Sequence, residues 1–402
     1  MTPPATPAPD PLAATRWPRV LLLWACGILA GMQFAKVSVA FEPLQQLYGV
    51  SPAQMGWALS AVGMVGLVLG VTVGLFAPAI GYRRLLLGGL GLGAVLSAAQ
   101  AGLPPFALLL VSRVLEGASH LAVVVAAPIL IVASAAPAHR SIAMGLWSTF
   151  VGVAFAITAA IGGPLMAGLG LGACLLVHAA GMALVCALAW VALRQDPPEA
   201  ATAARPRLHT LGQQHVAVYT AFDTALPGLI FLCYTGVAVA LLTFVPAWGG
   251  ADRVWLAVLL PLMVIGGNFG AGWLVQHWLA PLQLVWVSFG AVAASALAMG
   301  WCHGAGASIA PAALALLFTA GLAGGSAFAL IPDLCREPQE QARANGAVAQ
   351  MGNLGSSFGP PLMAALMPPW GMSGVVMPTL VFAMAGILLA SWAATHHRGR
   401  KR

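Results

Sequence analysis

Charge is what this chain has least of. Only 7% of its 402 residues are Asp, Glu, Lys or Arg, while 60% are hydrophobic and mean hydropathy is +0.91. Soluble domains carry roughly 25% charge, so an ordinary soluble globule is excluded. The net charge of +7 is scattered between apolar segments. No grouped basic patch exists to read nucleic acid, and the spacing is that of membrane topology. The six cysteines (Cys26, Cys174, Cys186, Cys233, Cys302, Cys335) form no CxxC pair, which argues against a disulfide framework and for small core residues. No Ser/His/Asp or Cys/His constellation is present, so neither an enzyme nor a cofactor is expected. The glycine-rich GGLGLG, Gly88 to Gly93, lies inside an apolar run and fails as a phosphate cradle on context.

Long apolar runs are what the chain has in abundance. A membrane helix needs about 20 apolar residues. Twelve runs qualify, over 18–41, 52–77, 84–102, 105–134, 141–167, 171–193, 224–247, 253–276, 282–301, 310–332, 343–367 and 374–394. The first reads as a retained helix and not as a cleaved signal. The one long polar break follows the sixth run. The expected organisation is a disordered cytoplasmic tail (1–16), a six-helix bundle (17–193), a cytoplasmic linker (194–223), a second six-helix bundle (224–394) and a basic cytoplasmic tail (395–402).

Basic residues orient the helices. With the N-terminus in the cytoplasm, 14 of the 17 Lys and Arg fall on the cytoplasmic side. Arg253 is in an outside loop, and Lys36 and Arg113 lie within helices. That asymmetry predicts an inner-membrane protein with both termini cytoplasmic. The halves also echo one another. Trp57 and Gly74 recur as Trp255 and Gly272 at an offset of 198, and GPLMAGL from Gly163 recurs as PPLMAAL from Pro360 at 197. Such offsets indicate parallel repeats.

Several local patterns resemble the major facilitator superfamily. These are GLFAPAIGYRR (Gly74 to Arg84), RVLEG (Arg113 to Gly117) and GGPLMAG (Gly162 to Gly168). The resemblance implies an all-α membrane protein with twelve transmembrane helices in two pseudo-symmetric six-helix bundles. It also implies conformational roles for Gly74, Arg83, Arg84, Gly163 and Pro164. Pro78 stands where the family loop usually carries an acidic residue, which weakens a drug-antiporter reading. RVLEGASHLAVVVAAPILI, RSIAMGLW and ARANGAVAQMGNLGSSFGPPL are similar to the cyanate and nitroimidazole permease branch.

Polar residues within the apolar runs mark where to look, because charge at bilayer depth is costly unless it faces protein or a water-filled cavity. Arg113, Glu116 and His120 fall within roughly 60° on one helix face. Arg113 is expected to bind substrate, with Glu116 and His120 as proton-coupling groups; the plainer reading is a buried Arg113–Glu116 packing pair. In helix one, Gln33 and Lys36 are expected at the substrate path, although Lys36 also suits snorkelling to the headgroups. In helix eleven, Gln350, Asn353 and Ser357 form a polar stripe opposite Gly355 and Gly359. The stripe suits either substrate contact or interhelical hydrogen bonds. Tyr234 and Asn268 complete the substrate-binding set. His178 and Met182, like Met363 and Met367, have the i, i+4 spacing of soft-metal ligands. With 15 Met in the chain and no further ligand beside either pair, no metal site is expected.

The expected function is secondary active transport of a small polar or anionic solute by alternating access, coupled to protons. The alternative is efflux of a drug or a secreted metabolite such as a siderophore. The expected partners are a small-molecule substrate, H+ and the lipid bilayer, with no nucleic acid and a monomeric state.

Overall fold

The computed structural model describes residues 14–194, 212, 216 and 219–400. Most of the expected N-terminal tail, most of the expected linker and the last two residues of the basic tail lie outside the described residues. Those described fold into α-helices without a strand. In chain order these are α1 (Trp17–Val39), α2 (Phe41–Tyr48), α3 (Pro52–Ile80), α4 (Tyr82–Ala101), α5 (Phe106–Ser134), α6 (Arg140–Ser148), α7 (Phe150–Leu169) and α8 (Leu171–Ala192). The second half contains α9 (Phe222–Phe244), α10 (Arg253–His277), α11 (Pro281–Gly304), α12 (Ala310–Leu334), α13 (Pro338–Trp370) and α14 (Ser373–Arg400).

Ten stretches are long and apolar enough to cross a membrane. One of them, Phe222–His277, holds two helices. Helix α13 has the length to span but begins in a polar turn with Glu340 and Arg343. With these two additions the described residues hold twelve membrane helices. The short α2 lies between the first two, in a loop where the apolar pattern predicted no helix.

Local chemistry sets several boundaries. Ser51 opens α3 with reciprocal bonds: its hydroxyl accepts from the Gln54 amide at 3.2 Å, and the Gln54 side chain accepts from the Ser51 amide at 2.9 Å. Gly81, at φ 91°, lets the chain turn directly from α3 into α4. The fifth apolar run is broken into α6 and α7 at Thr149. There the Thr149 hydroxyl donates to Leu146 O at 2.7 Å and accepts from Trp24 Nε1 at 3.1 Å. A side chain bonding back to its own helix bends it, which apolar periodicity does not report.

The two halves meet through repeat-related helices. Helix α3 packs on α13, and its repeat partner α10 packs on α7. Each seam depends on small residues. A Cβ at Gly66 would lie 2.5 Å from the Asn353 side chain, and one at Gly152 would lie 2.5 Å from Ile265. At the face remote from the two ends of the chain, the halves are pinned together. Ser38 Oγ is 2.8 Å from Thr243 Oγ1, Phe41 meets Phe244 edge-on at 5.0 Å, and Arg253 donates to Glu42 at 2.8 Å.

Candidate functional site

The first half encloses a set of buried charges. Arg113 and Glu116 are 0% exposed and Lys36 is 1% exposed. Glycines on the neighbouring helices make this enclosure possible. A Cβ at Gly117 of α5 would lie 3.0 Å from Val65 of α3, and one at Gly89 of α4 would lie 2.8 Å from Ala122 of α5. Three helices therefore approach closely enough to supply the partners.

Arg113 spreads its donors over three elements. Nε donates to Ala58 O at 2.9 Å and Nη2 to Gln33 O at 2.6 Å, while Nη1 pairs with Glu116 Oε2. Glu116 Oε2 also accepts from Gln100 Nε2 at 2.9 Å, and its Oε1 accepts from Lys36 Nζ at 2.6 Å. Lys36 further donates to Gln100 Oε1 at 2.8 Å and to the hydroxyl of Ser97. Ser97 Oγ lies 2.7 Å from His178 Nδ1, and His178 Nε2 lies 2.9 Å from Leu29 O. Two cations thus share one carboxylate, in a pocket made by α1, α3, α4, α5 and α8.

A buried pair that only held helices together would be neutral. Taking ions from water costs several kcal/mol each, and good pairing offsets that cost only in part. An unbalanced cation is harder to explain by packing than a matched pair.

The structure distributes the sequence-derived residues unevenly. Arg113, Glu116 and Lys36 come together, although Lys36 and Glu116 are 80 residues apart. Gln33 donates to Ser119 Oγ at 2.8 Å beside this set, and its Oε1 is buried without a hydrogen-bond partner. The side chains of Gln33 and Lys36 turn into the first bundle, toward α4, α5 and α8. His120 is set apart from the charges: its Nδ1 is 3.1 Å from Ala30 O, and Phe34 meets its ring edge-on at 5.3 Å. In the second half Tyr234 of α9 and Asn268 of α10 meet beside α12. A Cβ at Gly324 of α12 would lie 2.9 Å from Tyr234 and 3.1 Å from Asn268.

The polar stripe of the eleventh membrane helix, α13, meets α3. Gln350 Nε2 donates to Leu67 O at 3.0 Å, and Asn353 lies against Gly66. The expected glycine face holds the other side of the same helix, with Gly355 and Gly359 against Thr235 and Gly236 of α9. Among the residues given conformational roles, Gly74 is in α3, Arg83 lies over the Trp190 ring at 5.7 Å, and Arg84 is exposed. Gly163 and Pro164 are in α7, where a Cβ at Gly163 would meet nothing within 4 Å.

Ser97 and Gln100 escaped the sequence reading, and His178 entered it only as a soft-metal candidate beside Met182. The rule that flagged Arg113, that an ionisable group in an apolar helix has a reason to be there, applies equally to His178. Ser97 and Gln100, at i and i+3, share one face of α4.

Comparison with known proteins agrees with this architecture. Residues 23–360 match the Major Facilitator Superfamily. The chain belongs to that family. It is a multi-span membrane protein of a family of transporters, not enzymes. It is 25% identical over 379 residues to the 3-(3-hydroxy-phenyl)propionate transporter of Escherichia coli (strain K12), covering 92% of this chain and 91% of the relative. Among solved structures it resembles a bacterial homologue of the human lysosomal transporter Spinster in two inward-facing forms. The occupied form has a TM-score of 0.66 and the unoccupied form 0.67, each at 14% identity. The first covers 95% of this chain and 96% of its own, the second 94% and 95%. At that identity the likeness is one of fold.

Proposed function

We propose that this protein carries a small organic anion across the inner membrane by alternating access, coupled to protons, with both termini in the cytoplasm. The observation that carries the reading is the surplus positive charge of Lys36 and Arg113 over Glu116 in a site that is 0–1% exposed. In low dielectric a fixed charge acts over a longer range than in water, so a cation buried in one bundle favours an anion between the bundles. His120 at the α1–α5 seam and Tyr234 with Asn268 at the repeat-equivalent α9–α12 seam supply hydrogen bonds from either side. In this reading Arg113 and Lys36 together, net of Glu116, attract the substrate by their field, and Gln350 and Asn353 serve the α3–α13 seam that rocks.

The similarity to an aromatic acid transporter supports a carboxylate as cargo. The test is uptake of 3-(3-hydroxyphenyl)propionate by proteoliposomes under an imposed pH gradient. Wild type is expected to accumulate the acid, Arg113→Gln to lose accumulation, and the corresponding neutral amide not to be concentrated. Transport confined to cationic drugs would overturn the reading and favour the efflux alternative.

A further inference from the structure

From Lys36 an unbroken hydrogen-bonded line runs through Ser97 to His178, two residues that the transport reading leaves without a role. It starts at the surplus charge. Arg113 and Glu116 make a neutral pair, so Lys36 is the cation left over. Its ammonium has three N–H donors and meets three acceptors: Glu116 Oε1 at 2.6 Å, Gln100 Oε1 at 2.8 Å and the Ser97 hydroxyl. Beyond Ser97 the direction is fixed by Leu29. A carbonyl oxygen only accepts, so His178 Nε2, 2.9 Å away, carries the hydrogen. In neutral His178, Nδ1 is then the acceptor, and it takes the Ser97 O–H at 2.7 Å.

We propose that Lys36, Ser97 and His178 constitute a proton relay, with His178 as the second proton-holding position of the transport cycle. The transfer balances. Lys36 Nζ gives one proton to Ser97 Oγ as Ser97 gives its own to His178 Nδ1. The ammonium becomes an amine, the imidazole becomes an imidazolium, and the net charge of the site is unchanged.

The partners remain satisfied after the transfer. The amine keeps two N–H bonds, to Glu116 and Gln100. Its lone pair accepts the Ser97 O–H, and Ser97 Oγ accepts from His178 Nδ1. The hydroxyl is the one partner of Lys36 that can reverse its direction, because Gln100 is fixed by donating from Nε2 to Ser112 at 3.1 Å and to Glu116 at 2.9 Å. Lys36 and His178 are themselves 3.5 Å apart, too far for a good direct bond. The ionisable groups facing the line are Arg113 and Glu116 from α5 and Cys174 from α8; α4 contributes the uncharged Ser97 and Gln100.

This inference rests on the proton-coupled transport reading, and two measurements separate their fates. The first needs no substrate. In 15N-histidine-labelled protein, with His178 assigned through His178→Asn, the relay predicts a neutral form with hydrogen on Nε2 and an accepting Nδ1. That Nδ1 gains a proton on acidification, and its signal moves in Ser97→Ala. An Nδ1 that responds to neither change overturns the relay, whatever is transported. The second compares gradient-driven accumulation with substrate exchange in proteoliposomes. His178→Asn and Ser97→Ala are expected to lower accumulation about 100-fold, on the scale of a removed proton donor, while exchange falls far less. Ser97→Thr, which keeps the hydroxyl, restores accumulation. Full accumulation by His178→Asn, or equal loss of exchange and accumulation, overturns the relay. Failure of wild type to move any carboxylate overturns the transport reading instead, and the imidazole signals then decide the relay.

Discussion

Glu116 is the one anion among the buried charges, so removing it exposes the whole electrostatic logic of the site. In Glu116→Gln, Lys36 and Arg113 are left facing each other without a counter-charge. Breaking a buried pair in this way costs about 3–5 kcal/mol. The expected result is a large fall in the thermal unfolding midpoint of the detergent-solubilised protein. Lys36→Met added to Glu116→Gln is expected to recover part of that fall, since it removes the surplus cation. A midpoint that drops further in the double variant would mean that the hydrogen bonds of Lys36 outweigh its charge. The Arg113–Glu116 partnership was legible in the sequence because i, i+3 spacing on a helix is a short-range geometric fact. The Lys36 contact was not, because 80 residues separate it from Glu116 and only the packed bundle brings them together. Reading Lys36 as a residue of the substrate mouth or a snorkelling group followed from depth alone. Depth says nothing of which neighbours a side chain turns to, and here those neighbours are Glu116 of α5 and Ser97 and Gln100 of α4.

At the scale of single helices, glycines divide into those that set a spacing and those that do not. A Cβ at Gly359 would lie 2.8 Å from the carbonyl carbon of Gly236, a backbone atom that cannot step aside. Gly359→Ala is therefore expected to cost about 1–3 kcal/mol through overpacking, read as a lower unfolding midpoint. Gly163→Ala meets open space, and alanine favours a helix over glycine by about 1 kcal/mol, so its midpoint should hold or rise. If Gly163 has the conformational role its motif implies, the substitution will slow transport while leaving stability intact. Loss of stability in Gly163→Ala would show that it packs against something after all. Helix number and approximate limits were readable because membrane spans are written in long apolar runs. The break at Thr149 was not, since it arises from hydroxyl bonds inside a continuous run. The polar stripe of Gln350 and Asn353 was visible as a stripe, but its occupant, α3, is a property of how the halves dock.

Across the whole molecule, alternating access requires the two halves to part at one face as they close at the other. At the face remote from the chain ends they are held by Ser38 against Thr243, Phe41 against Phe244, and Glu42 against Arg253. The ion pair is half exposed, and such pairs contribute about 0–1 kcal/mol. It can register the halves without locking them, as a gate that opens in every cycle needs. The hydroxyl pair is more useful experimentally, because its oxygens are 2.8 Å apart and a disulfide requires close Cβ atoms. Four of the native cysteines are buried and all six are free, which favours oxidation at an introduced pair. Ser38→Cys combined with Thr243→Cys is expected to crosslink under mild oxidant and to stop substrate accumulation, with recovery on reduction. Each single substitution under the same oxidant controls for oxidation elsewhere. A double variant that crosslinks fully yet transports at the uncrosslinked rate would mean that this face stays shut throughout the cycle. The rocking of α3 on α13 and of α7 on α10 would then need another route.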